Sequence, residues 1–169
     1  MFGYLKELYR YRELLGLWTQ RYLKVRYKET WLGVAWAVLQ PLGNALILTL
    51  VFSVFIRVPS DGIPFPVFIY CGVLVWTFFA GAVNLAAESM TGNISLVGKI
   101  YFPREIFPIA AVLASLVDFI FAFIVLIVLM AFYNMPLAWP MALLPLLVVL
   151  QTLFTISIAL AAAATNVFY

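Results

Sequence analysis

Apolar residues dominate the chain from residue 32 onward, where they fall into four long runs separated by polar segments or turns. The runs cover about 32–56, 66–87, 107–132 and 140–165. A helix rises about 1.5 Å per residue, so roughly 25 residues reach about 37 Å, enough to cross the hydrocarbon core of a bilayer. The pattern therefore predicts four transmembrane helices in a domain that covers residues 31–169.

The first 30 residues follow a different pattern. Over residues 2–28 the apolar positions recur every three or four residues and the basic positions fall mainly on the opposite side, although Arg12 and Arg26 intrude on the apolar arc. This spacing is typical of an amphipathic helix at a membrane surface. We expect residues 1–30 to form such an interface helix, either as a simple membrane anchor or also as a docking surface for a partner.

The composition excludes the soluble classes of protein. The chain has 169 residues, of which 66% are apolar and only 10% are charged, too few to cover a soluble globule. It has no histidine and one cysteine, which excludes histidine-based catalysis, Cys/His zinc sites and internal disulfides. It also has neither a Walker A nor a GxGxxG motif. We therefore predict an all-α polytopic membrane protein that is not itself an enzyme, binds no metal or cofactor and has no nucleic-acid partner.

The basic residues lie almost entirely on one side of the predicted membrane. Seven of the ten precede residue 31, two more lie in the polar loop 88–106, and only Arg57 falls on the other side. Cytoplasmic segments carry an excess of Lys and Arg, so the N-terminus and the loop are predicted to be cytoplasmic. Four spans then return the end of the chain to the same side.

One carboxylate, Asp118, interrupts the third apolar run about eleven residues from its start. That places it roughly 16 Å into the membrane, where an unpaired charge costs at least about 2.5–3.5 kcal/mol. It can serve as a proton or ion relay or as a polar staple between helices. We favour the staple, because the four runs hold no second well-buried ionisable residue, and the candidate donors are Asn44, Asn84, Ser115 and Gln151.

Aromatic residues form a second set of candidates, because their rings can stack on the faces of sugars. Those at the ends of the runs (Trp31, Tyr133 and Trp139) fit the aromatic belt of the membrane interface. The candidates for a substrate path are Trp36, Tyr70, Trp76 and Phe79. Ordinary helix packing is the other interpretation, and we favour it for Trp76 and Phe79, which lie in the middle of a run.

The loop 88–106 carries more apolar surface than a solvated loop needs. Any short helix over 93–101 must end before Pro103. Such a helix would lie in the membrane interface or fit a cleft on a partner protein. The apolar residues concerned are Ile94, Leu96, Val97, Ile100, Tyr101 and Phe102.

Three blocks of the sequence resemble the type-2 ABC exporter permeases for polysaccharides, the family that exports O-antigen, teichoic acid and capsule. Residues 26–41 read RYKETWLGVAWAVLQP. Residues 60–66 read SDGIPFP and lead to GVLVWTFF at 72–79. Residues 93–99 read NISLVGK and lead to YFPREIFP at 101–108. The blocks occur in the family's order and spacing, and the resemblance covers essentially the whole chain.

The resemblance implies a homodimeric permease of the bacterial cytoplasmic (inner) membrane that works with a separate P-loop ATPase and moves a lipid-linked glycan. ATP and Mg²⁺ are then expected on the ATPase subunit. The family has six spans, so we expect the counterparts of the last two to be absent from these 169 residues. The segment that matches the family's ATPase-coupling loop comprises Ile94, Leu96, Val97, Lys99, Ile100, Tyr101, Phe102, Arg104 and Glu105.

A lipid carrier would bring a phosphate or diphosphate to the membrane surface, which calls for cationic partners. The candidates are Arg26, Lys28 and Arg104. Two other functions stay open from the residues alone. One is an ion-coupled channel or secondary transporter that uses Asp118, and the other is a membrane anchor subunit that transports nothing.

Overall fold

The computed structural model describes residues 10–28, 34–52, 63–92, 103–135 and 139–168, and these ranges are helical apart from short turns. The described residues contain no strand, which confirms the predicted all-α class. The helices are α1 (Arg12–Lys28), α2 (Val34–Leu50), α3 (Phe65–Thr91), α4 (Ile106–Phe132) and α5 (Leu144–Phe168).

Three helical segments in the described part are long and apolar enough to cross a membrane. They are Phe65–Thr91, Ile106–Phe132 and Met141–Val167, the last of which joins the end of a short 3₁₀ helix (Trp139–Leu143) to α5. They correspond to the second, third and fourth predicted spans, so the chain is a multi-pass membrane protein. The first predicted span is represented by α2, which is continuous through Pro41 and passes into a π turn at residues 51–52. That α2 crosses the membrane stays a prediction.

Helix α3 runs four residues beyond the second predicted span, into the polar segment 88–106. Helix α3 continues to Thr91, where the Gly92 N–H donates to the Glu88 carbonyl at 3.0 Å. Within this extension Ser89 is buried and its hydroxyl donates to the Ala86 carbonyl at 2.6 Å. Polar residues here satisfy their hydrogen bonds within the helix, so the change from apolar to polar residues does not mark the helix end.

Helix α4 ends in a turn that its sequence explains. The Asn134 N–H donates to the Ala131 carbonyl at 3.1 Å, and the Met135 N–H donates to the Met130 carbonyl at 3.0 Å. Asn134 has a φ of 51°, a left-handed conformation that Asn tolerates better than most residues. This Schellman motif closes the third span at the border predicted from the sequence.

The three long helices form the centre of the molecule, with α3 packed against both α4 and α5. Phe78 contacts Phe119 of α4 at a ring distance of 5.2 Å, whereas Phe79 stacks on Phe154 of α5 at 5.8 Å. Small side chains line these contacts and let the helix backbones approach closely. The alanines that are at least 99% buried are Ala82, Ala86, Ala110, Ala111, Ala114, Ala159 and Ala163. Near the end of α5, Ala159 and Ala163 are buried in this packing, whereas Ala161 and Ala164 of the same stretch are exposed.

Candidate functional site

Helix α1 packs alongside the first part of α4, and the two helices run in the same direction. Trp18 makes an edge-to-face contact with Phe107 at the start of α4, with ring centroids 4.6 Å apart. Eight residues later, Arg26 reaches Asp118, which lies eleven residues further along α4. Those separations correspond to about 12 Å on α1 and about 16 Å on α4. The second half of α1 therefore follows the third span to the depth of its carboxylate.

Asp118 is the centre of a small polar cluster between these two helices. One carboxylate oxygen forms an ion pair with the Arg26 guanidinium, and the other accepts a hydrogen bond from the Tyr27 hydroxyl. The Asp118 side chain is 17% exposed and that of Arg26 is 39% exposed. Asp118 thus joins α1 to α4. These partners are not the four donors suggested by the sequence, all of which lie within the apolar runs.

The position of Arg26 accounts for the irregularity in the amphipathic pattern of α1. The sequence places this cation on the otherwise apolar arc of the helix, where it lowers the amphipathicity. In the structure that arc faces α4, and Arg26 forms an ion pair with the Asp118 carboxylate. An ion pair between two helices satisfies both charges where water is scarce.

Tyr27 acts in this cluster as a neutral hydrogen-bond donor. Burial raises the pKa of its hydroxyl above the ordinary value for tyrosine, and the adjacent Asp118 carboxylate raises it further. The hydroxyl is therefore protonated throughout the physiological range. Tyr27 was not singled out by the sequence, although it adjoins Arg26 in the first of the three family-like blocks.

An open groove of about 420 Å³ lies between α1 and the end of α3. Its α1 wall is one face of the helix, with residues spaced three and four apart, and Leu85 and Gly92 form the α3 wall. The α1 residues are Trp18, Arg21, Tyr22, Val25 and Arg26. The groove therefore combines two guanidinium groups with aromatic and aliphatic surface.

Arg21 and Tyr22 differ in how they meet this groove. The Arg21 guanidinium lies 4.5 Å from the centre of the Trp18 ring, a cation–π contact on an exposed side chain. Tyr22 turns inward, and burial raises the pKa of its hydroxyl, an effect that nearby Ser89 of α3 partly offsets. Tyr22 thus contributes to the junction between α1 and α3, whereas Arg21 presents its charge to the groove.

Of the three aromatic candidates for a substrate path whose side chains are described, Trp76 and Phe79 lie together and Tyr70 lies apart from them. Tyr70 is completely buried and its hydroxyl donates to the Ala122 carbonyl of α4 at 3.0 Å, so in this chain it packs between α3 and α4. Trp76 is 65% exposed on the outside of α3, and Phe79 lies between it and Phe154. The side chain of Trp36 lies outside the described residues. A path lined by Trp76 and Phe79 stays a prediction.

Most of the predicted coupling segment lies outside the described residues, namely Ile94, Leu96, Val97, Lys99, Ile100, Tyr101 and Phe102. Its last two positions are described. Arg104 is exposed and Glu105 is partly buried in the turn that starts α4. The side chain of Lys28 is also outside the described set.

Several segments converge at the end of the bundle from which the 93–102 segment emerges. Gly92 ends α3 and Arg104 precedes α4, while the first half of α1 packs beside Phe107. The end of α5 reaches the same place, because the Asn166 side-chain amide donates to the Ala87 carbonyl of α3 at 2.8 Å. The first half of α1 thus shares one end of the molecule with Arg104.

Residues 13–169 match the family model described as "ABC-2 type transporter". The chain belongs to the ABC-2 type transporter family. This membership confirms the family-level resemblance read from the three sequence blocks, and it covers every described helix apart from the first residue of α1.

Relatives of known name agree with this assignment. The chain is 34% identical over 168 residues to an O-antigen export system permease protein RfbA of Myxococcus xanthus, covering 99% of this chain and 64% of that protein. It is 31% identical over 159 residues to a protein of the same name from Klebsiella pneumoniae, covering 93% and 60% respectively. The chain therefore spans slightly less than two thirds of the length of these relatives.

Proposed function

We propose that this ABC-2 family chain is the membrane permease subunit of an ATP-driven exporter that moves a lipid-linked polysaccharide of the O-antigen, teichoic-acid or capsule type. The observation that carries the proposal is the 34% identity to an O-antigen export permease over nearly the whole chain. The direction of transport is outward across a bacterial cytoplasmic membrane, with the N-terminus in the cytoplasm.

The energy comes from a separate ATPase subunit that binds ATP and Mg²⁺. The chain carries no Walker A motif, so it needs such a partner to use ATP. The partner docks at the end of the bundle where α1, Arg104 and the 93–102 segment meet. The apolar residues of that segment fit a cleft on the ATPase, and Lys99, Arg104 and Glu105 supply polar contacts at its rim.

The transported glycan passes between two copies of the permease. The outward faces of α2 and α5 carry large exposed apolar side chains, which supports packing against lipid or a second copy. Among the cations proposed for the carrier phosphate, Arg104 is exposed and Lys28 follows directly on the Arg26–Tyr27 pair. Arg26 is engaged by Asp118, so its contribution to phosphate binding depends on that pairing.

The test of this function is transport in inside-out membrane vesicles that contain the permease with its ATPase. Uptake of lipid-linked glycan should require Mg-ATP and should persist when the proton gradient is collapsed by an uncoupler. The Asp118→Asn variant should retain export wherever it assembles. Uptake that needs the proton gradient and is abolished by Asp118→Asn would instead indicate an ion-coupled transporter.

The docking of the ATPase has its own test. Ile100→Asp should weaken co-purification of the ATPase by at least tenfold while membrane insertion persists, because a carboxylate buried in the interface loses its hydration. Ile100→Val is the matched control and should co-purify as the parent does. Equal recovery of the ATPase with both variants would contradict docking at this segment.

A further inference from the structure

The groove between α1 and α3 has the features of a site for an amphiphile. It runs along the end of α3 from Leu85 to Gly92, the residue that follows the helix, a distance of about 10 Å. In a membrane-spanning helix this length extends from the helix end toward the hydrocarbon core, the zone in which lipid headgroups meet their acyl chains. The groove therefore extends from the depth of a lipid headgroup toward the acyl chains.

The charge of the groove is positive. Among the described residues that line it there is no carboxylate. The charge of Arg26 is offset by Asp118, so the net charge comes from Arg21, which is exposed and rests on the Trp18 ring. A guanidinium is well suited to hold a phosphate oxygen pair, and its stacking on an aromatic ring fixes its plane.

The volume of the groove and its aliphatic wall indicate the kind of ligand that fits. A volume of 420 Å³ equals the share of about 14 water molecules, which is enough for a phosphate with its glycerol. Val25 and Leu85 add an aliphatic wall, which suits the first carbons of an acyl chain. From these features we propose that the groove binds the headgroup of an anionic phosphoglyceride of the bilayer, with Arg21 as its phosphate ligand.

This site is independent of export, because it needs neither an ATPase nor a glycan. Binding can be measured by native mass spectrometry on the whole chain in detergent, titrated with phosphatidylglycerol and, separately, with phosphatidylcholine of the same acyl chains. Arg21→Gln should weaken phosphatidylglycerol binding about fivefold, the effect of one basic residue near a charged membrane surface. Lys24→Gln removes a charge from the same helix outside the groove and should change binding less than twofold, and Arg21→Lys should retain most of it.

A second pair of variants tests the groove without changing charge. Val25→Trp should fill the site and weaken phosphatidylglycerol binding, whereas Leu17→Trp, at another exposed position of α1, should not. Phosphatidylcholine should bind all variants equally and more weakly than phosphatidylglycerol binds the parent.

Three results would overturn the proposal. Equal losses in Arg21→Gln and Lys24→Gln would reduce the effect to non-specific charge. Displacement of phosphatidylglycerol by equimolar inorganic phosphate would show that the lipid part is irrelevant. Tighter, Arg21-dependent binding of an isoprenyl diphosphate would assign the groove to a lipid carrier instead.

Discussion

Removal of either partner of the Arg26–Asp118 pair should release α1 from the bundle, and the two removals should not be equivalent. Arg26→Gln leaves the Asp118 carboxylate, only 17% exposed, with Tyr27 as its remaining partner. Asp118→Asn leaves Arg26, which is 39% exposed and can reach water with its long side chain. The arginine substitution should therefore be the more damaging of the two.

The loss of stability depends on how deeply the ion pair is buried, and it lies between the values for fully exposed and fully buried pairs. Fully exposed pairs contribute about 0.2–1 kcal/mol, whereas breaking a fully buried pair costs about 3–5 kcal/mol. The intermediate burial of this pair gives about 2 kcal/mol for Arg26→Gln and about 1 kcal/mol for Asp118→Asn. The double variant should lose only about 1 kcal/mol, because it leaves no unpaired charge, so the coupling energy is about 2 kcal/mol.

Hydrogen exchange of the α1 amides measures these stability losses directly, since the exchange rate reports local opening of the helix. Rates in residues 12–28 should rise about 30-fold in Arg26→Gln and about fivefold in Asp118→Asn and in the double variant. Glu88→Gln, a similar change at an exposed site on α3, serves as the control and should leave α1 exchange unchanged. Additive effects of the two single changes, or unaltered exchange in all variants, would refute the coupling of α1 to α4 through this pair.

Three further predictions concern the cluster, the core and the topology. The pKa of Tyr27 is raised in the folded protein, so the stability that its neutral hydroxyl provides is complete below about pH 10 and is lost as the pH rises above that value. The thermal midpoint should therefore fall less above about pH 10 in Tyr27→Phe than in the parent. Tyr70→Phe removes a buried interhelical hydrogen bond and should lower stability by about 0.6 kcal/mol, seen as a small drop in the thermal midpoint, while an unchanged midpoint would deny that bond any role. Single cysteines at Ser60 and Ser95, in a Cys71→Ala background, should label from opposite sides of the membrane with an impermeant reagent, and labelling of both on intact cells would disprove the four-span map.

The long apolar helices could be predicted closely from sequence because apolar length is a direct requirement of a bilayer. The predicted span 107–132 corresponds to α4 at Ile106–Phe132, and the span 66–87 lies wholly within α3. A helix can extend beyond its predicted span, because the membrane no longer selects for apolar residues there. Helix α3 runs on through Glu88 to Thr91, since polar residues are as compatible with a helix as apolar ones once the chain leaves the hydrocarbon core.

The partners of Asp118 could not be found in the same way. The cost of a charge in the membrane correctly indicates that the carboxylate needs a donor. The sequence, however, suggests donors only among the polar residues of the apolar runs. Arg26 and Tyr27 come from the amphipathic segment, and nothing in its periodicity shows how far it leans along α4. The available signal was the position of Arg26 on the apolar arc, which becomes meaningful only when that arc faces a helix carrying an opposite charge.

The groove between α1 and α3 could not be predicted from the sequence either. Trp18, Tyr22 and Val25 belong to the apolar face in the sequence pattern, and Arg21 to the polar side. Only the angle between α1 and α3 brings the border of these two faces against Leu85 and Gly92. A site that lies on the boundary between two helix faces is set by tertiary packing, so it leaves no local motif.

We propose that the chain is the permease subunit of an exporter of lipid-linked polysaccharide, and the most direct test is to measure where that polysaccharide accumulates in cells that lack the gene. Surface polysaccharide and the intracellular lipid-linked pool should be quantified in the deletion strain and in the same strain supplied with the intact gene. We expect the polysaccharide to be lost from the surface of the deletion strain and to accumulate inside it, and we expect the gene to restore both pools. Unchanged surface polysaccharide, with no intracellular accumulation, would contradict it.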